Sequence, residues 1–214
     1  MRNSWTRAWL AAFGAIVLAV VVTRSREGWL LNIEQPVMDW LLDGTDTSAW
    51  DRAAILSAWN IIIPGTIVLV LVAFWLERRI AFAIITTTIF SYAIAGLIGA
   101  LVARVSPNGE LTETFPSFEV VRAGVFYGLV VLTAWWVGAP KLVWHIILEI
   151  ATVLTLLVAI RGIVNGEIWP SDAIGAALVT ALTLITAAIA FEANPTKIPS
   201  RKLRRARTAV KAAS

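Results

Sequence analysis

Eight charged residues lie in or beside two short polar segments, residues 104–117 and 161–172, which interrupt long apolar runs, and six of them are candidates for a site. Arginine guanidinium groups bind phosphate through paired, charge-assisted hydrogen bonds, and a carboxylate can serve as an acid or a nucleophile. The same groups can instead pair with one another. A phosphate site and a salt-bridged polar plug are therefore both open interpretations, and the plug is the favoured one. The six residues are Arg104, Glu119, Arg122, Arg161, Glu167 and Asp172.

The chain has a single histidine, His145, and no cysteine. Disulfides, thiolate metal sites and any site needing two histidines are excluded, and we predict neither a metal nor a cofactor. His145 and Glu149 are four residues apart, which places them on one face of a helix. A proton relay and a mutually satisfied pair both fit this spacing. The pair is favoured because no other acid or base lines the cytoplasmic halves of the other predicted spans.

The composition indicates a membrane protein. Of the 214 residues, 58% are hydrophobic and 15% charged, whereas about a quarter of the residues in a soluble domain are charged. Apolar runs of about 20 residues are long enough to cross a bilayer. They predict six transmembrane helices, at 9–23, 55–76, 80–103, 119–137, 142–160 and 172–191. Pro64 predicts a kink in the second span, and Gly96 and Gly99 predict close packing in the third.

The basic residues predict the orientation of these spans. If the N-terminus is inside, the inner segments hold twelve of the 18 Lys and Arg residues, and the outer segments hold the other six and most of the acids. The positive-inside rule then places both termini in the cytoplasm. This distribution also explains the basic charge without nucleic-acid binding, which we do not expect.

The connection 24–52 is long and carries Trp29, Trp40 and Trp50. Pro36 is predicted to open a short apolar helix, which either lies at the membrane interface or packs against the bundle. Residues 1–192 thus form one transmembrane domain. Residues 193–214 form a basic cytoplasmic tail, either solvated or lying on anionic lipid.

Three motif-like stretches carry a family resemblance. They read Arg104-Val105-Ser106-Pro107, then Phe115-Pro116-Ser117-Phe118-Glu119, then the run from Arg161 to Trp169-Pro170-Ser171-Asp172. They resemble the Lys-x6-Arg-Pro, Pro-Ser-Gly-His and Ser-Arg-x5-His-x3-Asp signatures of the type 2 phosphatidic acid phosphatase superfamily, which includes lipid phosphate phosphatases and haloperoxidase-like proteins. Order, spacing and side of the membrane match over most of the chain. The resemblance implies an all-α, six-transmembrane-helix bundle of lipid-phosphate-phosphatase type.

The resemblance also implies a chemistry that this chain lacks. In the family a histidine of the third stretch attacks phosphorus, the aspartate orients it, and the histidine of the second stretch protonates the leaving alkoxide. The lysine and the arginines bind the phosphoryl oxygens. Here Gly99 and Ser106 stand at the lysine and arginine of the first stretch, while Phe118 and Glu119 stand at the glycine and histidine of the second.

The third stretch has two registers, and neither supplies a histidine. Counted back from Trp169, Ile168 is at the nucleophile and Gly162 at the arginine, and Asp172 ends the motif. Counted forward from Arg161, Glu167 is at the nucleophile. A glutamate acting as an acid needs a raised pKa, and we expect the nearby arginines to lower it.

We therefore predict a catalytically inactive relative of lipid phosphate phosphatases in a bacterial-type plasma membrane. It would bind a lipid phosphate, or act as a homo- or hetero-oligomeric partner in an envelope-lipid pathway. The alternative is an active phosphatase on phosphatidate or a polyprenyl (di)phosphate with a non-standard site. An unrelated small transporter is disfavoured because the charges crowd one rim rather than the midplane. The degenerate catalytic positions are Glu119, Glu167, Ile168 and Asp172, and the phosphate-binding candidates are Arg104, Ser117, Arg122 and Arg161.

Overall fold

The computed structural model describes residues 2–25, 27–43, 50, 52–109 and 114–192. This part of the chain is helical, with one short 3-10 helix at Arg52–Leu56. The predicted tail, 193–214, lies outside the described residues. The α-helices are α1 (Arg2–Ser25), α2 (Glu27–Leu42), α3 (Trp59–Leu76), α4 (Arg78–Val102), α5 (Phe118–Trp136), α6 (Lys141–Val164) and α7 (Pro170–Glu192).

The predicted membrane bundle is confirmed. Five helices, α3 to α7, are long and apolar enough to cross a membrane, and α1 with α2 forms a sixth candidate bent by 89°. Helices suit this environment because the hydrocarbon interior offers no partners for an unpaired backbone group. Large apolar side chains accordingly remain exposed along these helices, for example Phe82, Leu97 and Leu142.

Helix α5 is the centre of the bundle. It packs against α3, α4, α6 and α7, while α7 also packs against α1 and α4. The buried side chains Val121, Val125 and Leu129 recur every four residues along α5, which places them on one face. Arg122 and Glu119 lie in the first two turns of this helix, so the core position of α5 also fixes the position of the charged rim.

Close approach between elements occurs at other glycines than the predicted ones. Gly99 is buried, but a Cβ at Gly96 would meet nothing within 4 Å, so the prediction of close packing at Gly96 is wrong. Tight contacts occur at Gly65, where a Cβ would lie 2.6 Å from the Phe126 ring, and at Gly175, where it would lie 2.6 Å from the Phe115 ring. A Cβ at Gly128 would likewise meet the Leu184 side chain, and one at Gly124 would lie 2.9 Å from Thr180. Gly65 and Gly175 depend on aromatic partners from distant parts of the chain.

One of the two predictions about proline changes. Pro64 lies inside α3, which runs from Trp59 to Leu76, and a kink at this position stays a prediction. Pro36 does not open a helix, because α2 begins at Glu27 and contains Pro36 in its second half. Proline has no N–H to donate to the carbonyl of Asn32, one turn earlier. Both Pro36 and Asn32 are exposed, so water can donate to that carbonyl instead.

Helix α2 packs one face against the bundle and leaves the rest of its surface exposed. Glu34 and Met38 are buried, whereas Trp29 and Trp40 are exposed. On the remaining side the Gln35 amide donates to the Asp39 carboxylate at 2.8 Å. The contact with the bundle, which was one of two alternatives, is present. A position at the membrane interface stays a prediction, supported by the exposed tryptophans.

Gly175→Ala is expected to lower the free energy of unfolding by about 1–3 kcal/mol, because the buried Phe115 ring must move to admit a methyl group. The matched control is Gly96→Ala, where the space is open and alanine favours the helix by about 0.5–1 kcal/mol. Thermal unfolding in detergent compares the two variants. Equal melting temperatures would contradict the packing described here.

Candidate functional site

The segments 103–109 and 114–117 fold back onto the segment that opens α7. Helix α4 ends at Ala103 in the left-handed region, with φ 49°, and this redirects the chain across the bundle end. The Thr114 N–H donates to the Arg104 carbonyl at 2.9 Å, and the Ser117 N–H donates to the Asp172 carbonyl at 3.2 Å. The predicted convergence of the three stretches is therefore present.

The start of α7 is capped by its own residues. Pro170 occupies the first helical position, where the missing N–H costs nothing. The Asp172 carboxylate accepts the backbone N–H of Trp169 at 2.9 Å, in the manner of a capping box. The Trp169 indole N–H donates to the Val105 carbonyl at 2.8 Å. The Trp-Pro-Ser-Asp tetrapeptide thus builds a helix start and anchors it to the loop after α4.

Arg104 lies at the centre of a buried inner ion cluster, which we define as Glu34, Arg104 and Asp172. Its guanidinium contacts the Glu34 carboxylate at 2.6 Å and the Asp172 carboxylate at 3.1 Å. It also donates to the Ser171 hydroxyl at 2.6 Å and lies 5.0 Å from the centre of the Trp169 ring. Arg104 is 1% exposed and Asp172 is 0% exposed, so the charges are paired inside the protein.

Glu34 occupies the place where a helix N-terminus binds anions. Its second carboxylate oxygen accepts the Ser171 backbone N–H, in the first turn of α7, at 2.7 Å. Such N–H groups and the helix dipole favour a negative charge. Glu34, from α2, therefore satisfies both Arg104 and the start of α7. The sequence placed Glu34 only among the outer acids, because a partner 70 residues away leaves no local spacing signal.

A second group, the rim ion cluster, consists of Glu119, Arg122, Arg161 and Glu167. The two outer nitrogens of Arg161 donate to the two oxygens of Glu167 at 2.6 and 2.7 Å. One of them also reaches Glu119 at 3.1 Å. Glu119 lies 3.7 Å from Arg122, as their spacing predicted. The Arg122 guanidinium is stacked 4.3 Å over the Trp59 ring.

The two clusters together contain three arginines and four carboxylates, so they carry no excess of positive charge. Burial raises the pKa of Glu167, and this outweighs the lowering by the Arg161 charge. The expected lowering by an arginine is therefore present at Glu167, but the net change of its pKa is upward. The Glu119 side chain is 43% exposed and is the most accessible carboxylate of the two clusters.

The positions that match the family's reacting residues are occupied by packing and capping groups. Ile168 is buried, and a Cβ at Gly162 would lie 3.0 Å from its side chain. Ser117 is the N-cap of α5, accepting the Val120 N–H at 3.5 Å. Ser106, at the family's arginine, donates to the Asn108 side chain at 2.7 Å.

His145 lies far from both clusters. It is 16 residues before Arg161 on α6, about 24 Å along the helix axis. Its Nδ1–H donates to the Lys141 carbonyl at 2.6 Å. Both His145 and Glu149 are exposed, and no hydrogen bond or ion pair joins them in the structure described. The prediction of a mutually satisfied pair is therefore wrong. Within the described ranges, no group of three or more His, Cys, Asp and Glu residues could hold a metal ion.

A cavity of about 1030 Å³ lies at the other end of the bundle, beside Phe74, Arg78, Phe82 and Thr183. The lining residue that lies farthest along α4 is Phe90, twelve residues before the helix ends at Val102. About 18 Å of helix therefore separates the cavity from the segment that carries Arg104. The cavity is not part of the candidate site.

Comparison with known proteins identifies the fold. No family model matches the chain, and no curated protein matches it. Among solved structures, the chain is similar to a transmembrane PAP2-type phosphatidylglycerolphosphate phosphatase from Bacillus subtilis, with a TM-score of 0.77 and 13% sequence identity. The match covers 88% of this chain and 98% of that one. The chain therefore has the fold of a transmembrane PAP2-type phosphatase, as the motif resemblance implied.

Arg104→Met is expected to reduce the free energy of unfolding by about 3–5 kcal/mol, because it leaves the Glu34 and Asp172 carboxylates unpaired in the interior. Arg161→Met is the control, since Glu119 and Glu167 both reach solvent and a smaller loss is expected. Chemical or thermal unfolding in detergent measures both. A loss at Arg104 no larger than that at Arg161 would contradict the central role of the inner ion cluster.

Proposed function

We propose that this chain is a non-catalytic membrane protein built on the lipid phosphate phosphatase fold, serving as a partner subunit in envelope-lipid metabolism. The observation that carries the proposal is the Glu34 carboxylate, bound by Arg104 and by the backbone N–H of Ser171 at the start of α7. An internal carboxylate takes the position that an arginine and a helix N-terminus would offer to a phosphate.

The absence of a suitable nucleophile and acid in this chain supports inactivity. Ile168 has no nucleophilic atom, and His145 lies about 24 Å along α6 from Arg161. Glu167 is held by both oxygens to Arg161, which reduces the freedom of its oxygens to attack phosphorus. Phosphoryl transfer through a covalent intermediate needs an activated nucleophile together with a proton donor to the leaving oxygen.

The fold similarity suggests the class of molecule that the chain meets. The protein of similar fold is a phosphatidylglycerolphosphate phosphatase. We propose that any ligand of the present chain is a lipid with a phosphate or diphosphate headgroup, and that the chain resides in a bacterial-type plasma membrane. A non-catalytic subunit would contact an enzyme or transporter that handles such a lipid.

A second candidate function is lipid-phosphate binding or hydrolysis at the rim ion cluster. Glu119 is partly exposed, and the Nε–H groups of Arg122 and Arg161 have no hydrogen-bond partner in the part of the chain described. The raised pKa of Glu167 is also the direction that a general acid requires. A ligand phosphate would then compete with Glu119 for Arg161.

Purified protein in detergent is expected to release no inorganic phosphate from phosphatidate, phosphatidylglycerolphosphate or polyprenyl diphosphate, because no histidine is within reach of the site. The control is the Glu119→Ala, Glu167→Ala double variant, with thermal unfolding used to verify that both proteins are folded. Turnover in the parent that disappears in the double variant would overturn the non-catalytic proposal and establish the second candidate. Equal turnover in both proteins would indicate a contaminating phosphatase.

Binding measurements separate the two candidates when no turnover is found. If the rim binds a lipid phosphate, Arg161→Ala should weaken binding of phosphatidate in nanodiscs by about tenfold or more, since a charge-assisted bond of about 1.5–3 kcal/mol is lost. Arg24→Ala provides the comparison, because Arg24 lies on the same predicted side and outside both clusters. Binding that is unchanged in Arg161→Ala would exclude the rim as the lipid-phosphate site.

A further inference from the structure

One exposed face of α6 carries the two ionisable residues that the candidate site does not use. Leu142, His145, Glu149, Thr152 and Leu156 are all exposed and define what we call the α6 seam. Their spacing alternates between three and four residues, which places them in one line along the helix. The buried side of α6, with Ala151, Val158 and Ala159, faces the bundle instead.

Glu149 lies about a third of the way along α6, away from either end of the helix. It is eight residues after Lys141, where α6 begins, and therefore about 12 Å along the helix axis. Leu142, Ile146, Val153 and Leu156 surround it and are exposed. The Glu149 carboxylate has no hydrogen bond or ion pair in the structure as described. An ionisable group within a span normally pairs with another group, and no described residue of the same chain provides that partner for Glu149.

The other described spans do not expose such a group away from their ends. Arg122 and Asp172 are buried inside the bundle and paired. The exposed side chains in the middle of α3 and α4, such as Val68, Thr86 and Ile89, are not ionisable. The unmatched charge is therefore confined to α6, and it marks one side of the molecule.

We propose that the α6 seam binds the α6 seam of a second copy of this chain, forming a two-fold symmetric dimer within the membrane. A two-fold axis along the membrane normal makes the two α6 helices parallel and brings each surface against its own copy. Residues spaced by three and four then meet in successive layers. Each residue then lies level with its own copy, and His145 meets Glu149 of the partner diagonally, about 6 Å along the axis. The two His–Glu pairs related by the two-fold axis make the seam complementary to itself in charge.

The hydrogen bonding of His145 suits this pairing. Its Nδ1–H donates to the Lys141 carbonyl of its own chain, which leaves Nε2 available for the partner. One proton shared between Nε2 and the Glu149 carboxylate satisfies both groups, whether it resides on the imidazole or on the carboxyl. The pair has no net charge in either arrangement, and hydrogen bonds between membrane helices stabilise their association.

Disulfide crosslinking tests the dimer directly, because the chain contains no cysteine. Thr152→Cys lies on the seam, eleven residues after the start of α6. Ile89→Cys is the matched control, eleven residues after the start of α4 and 64% exposed. Under mild oxidation in native membranes, Thr152→Cys is expected to give a band at twice the chain mass, and Ile89→Cys is expected to remain monomeric.

The role of the polar pair is tested in the Thr152→Cys background. Glu149→Leu and His145→Leu should each reduce the crosslinked fraction, with dimer affinity in lipid bilayers falling about tenfold. The combined variant should be no weaker than either single variant, because the two residues form one interaction. Since both side chains are exposed, thermal stability of the monomer should remain unchanged.

Three results would overturn the proposal. One is the absence of a Thr152→Cys dimer. Another is equal crosslinking of Ile89→Cys, which indicates random collision. The third is a crosslinked product at a mass other than twice that of the chain, which would assign the seam to a different membrane protein. None of these results bears on the rim or on catalysis, so the dimer and the proposed function fail or hold separately.

Discussion

The end of the bundle that carries both ion clusters, which is the predicted outer end, depends on the buried charge of Arg104. A guanidinium with 1% exposure requires counter-charges and acceptors, because an unpaired charge in the interior costs several kcal/mol. Glu34 comes from α2, Asp172 from α7, and Arg104 itself follows α4. One cation therefore fixes the relative positions of three elements that are distant in sequence. The 89° bend between α1 and α2 is the geometry that brings Glu34 to this position.

This arrangement restricts where a ligand can bind. A phosphate entering at the start of α7 must displace Glu34, and it would break a 2.6 Å ion pair and expose a carboxylate to the interior. The rim ion cluster has a lower barrier, since Glu119 is partly exposed and Arg161 keeps Glu167 when Glu119 moves away. The two clusters thus differ in kind. The inner one is a closed structural unit, and the rim is the more accessible place for the ligand binding proposed above.

The sequence was sufficient to predict features that depend on neighbouring residues, namely the membrane spans and the start of α7. Lipid requires long apolar helices, so the spans were predictable from hydropathy alone, and Trp169-Pro170-Ser171-Asp172 indicated the start of α7 because Pro and Asp have defined places in a first turn. Glu34 was not predictable as the partner of Arg104, since a contact across 70 residues depends on how the helices pack.

The start of α2 was missed because Pro36 fits the first turn of a helix as well as an exposed interior position. Gly96 and Gly175 are indistinguishable in sequence, and only the neighbouring Phe115 ring makes the second one indispensable.

The two ion clusters and the α6 seam differ in whether their charged groups find partners within the described part of the chain. At the outer end every charged group of both clusters finds a partner within the chain, so the fold is complete there without another molecule. On α6 the Glu149 carboxylate and the Nε2 atom of His145 have no such partner in the structure described, although the surrounding side chains are as apolar as those of any lipid-facing helix. A low-dielectric environment makes an unpaired polar group costly wherever it occurs. Around Arg104 the partners are provided by the same chain, through the Glu34 and Asp172 carboxylates. Along the α6 seam no described residue of the same chain meets this requirement, and the proposed dimer would meet it with a second molecule.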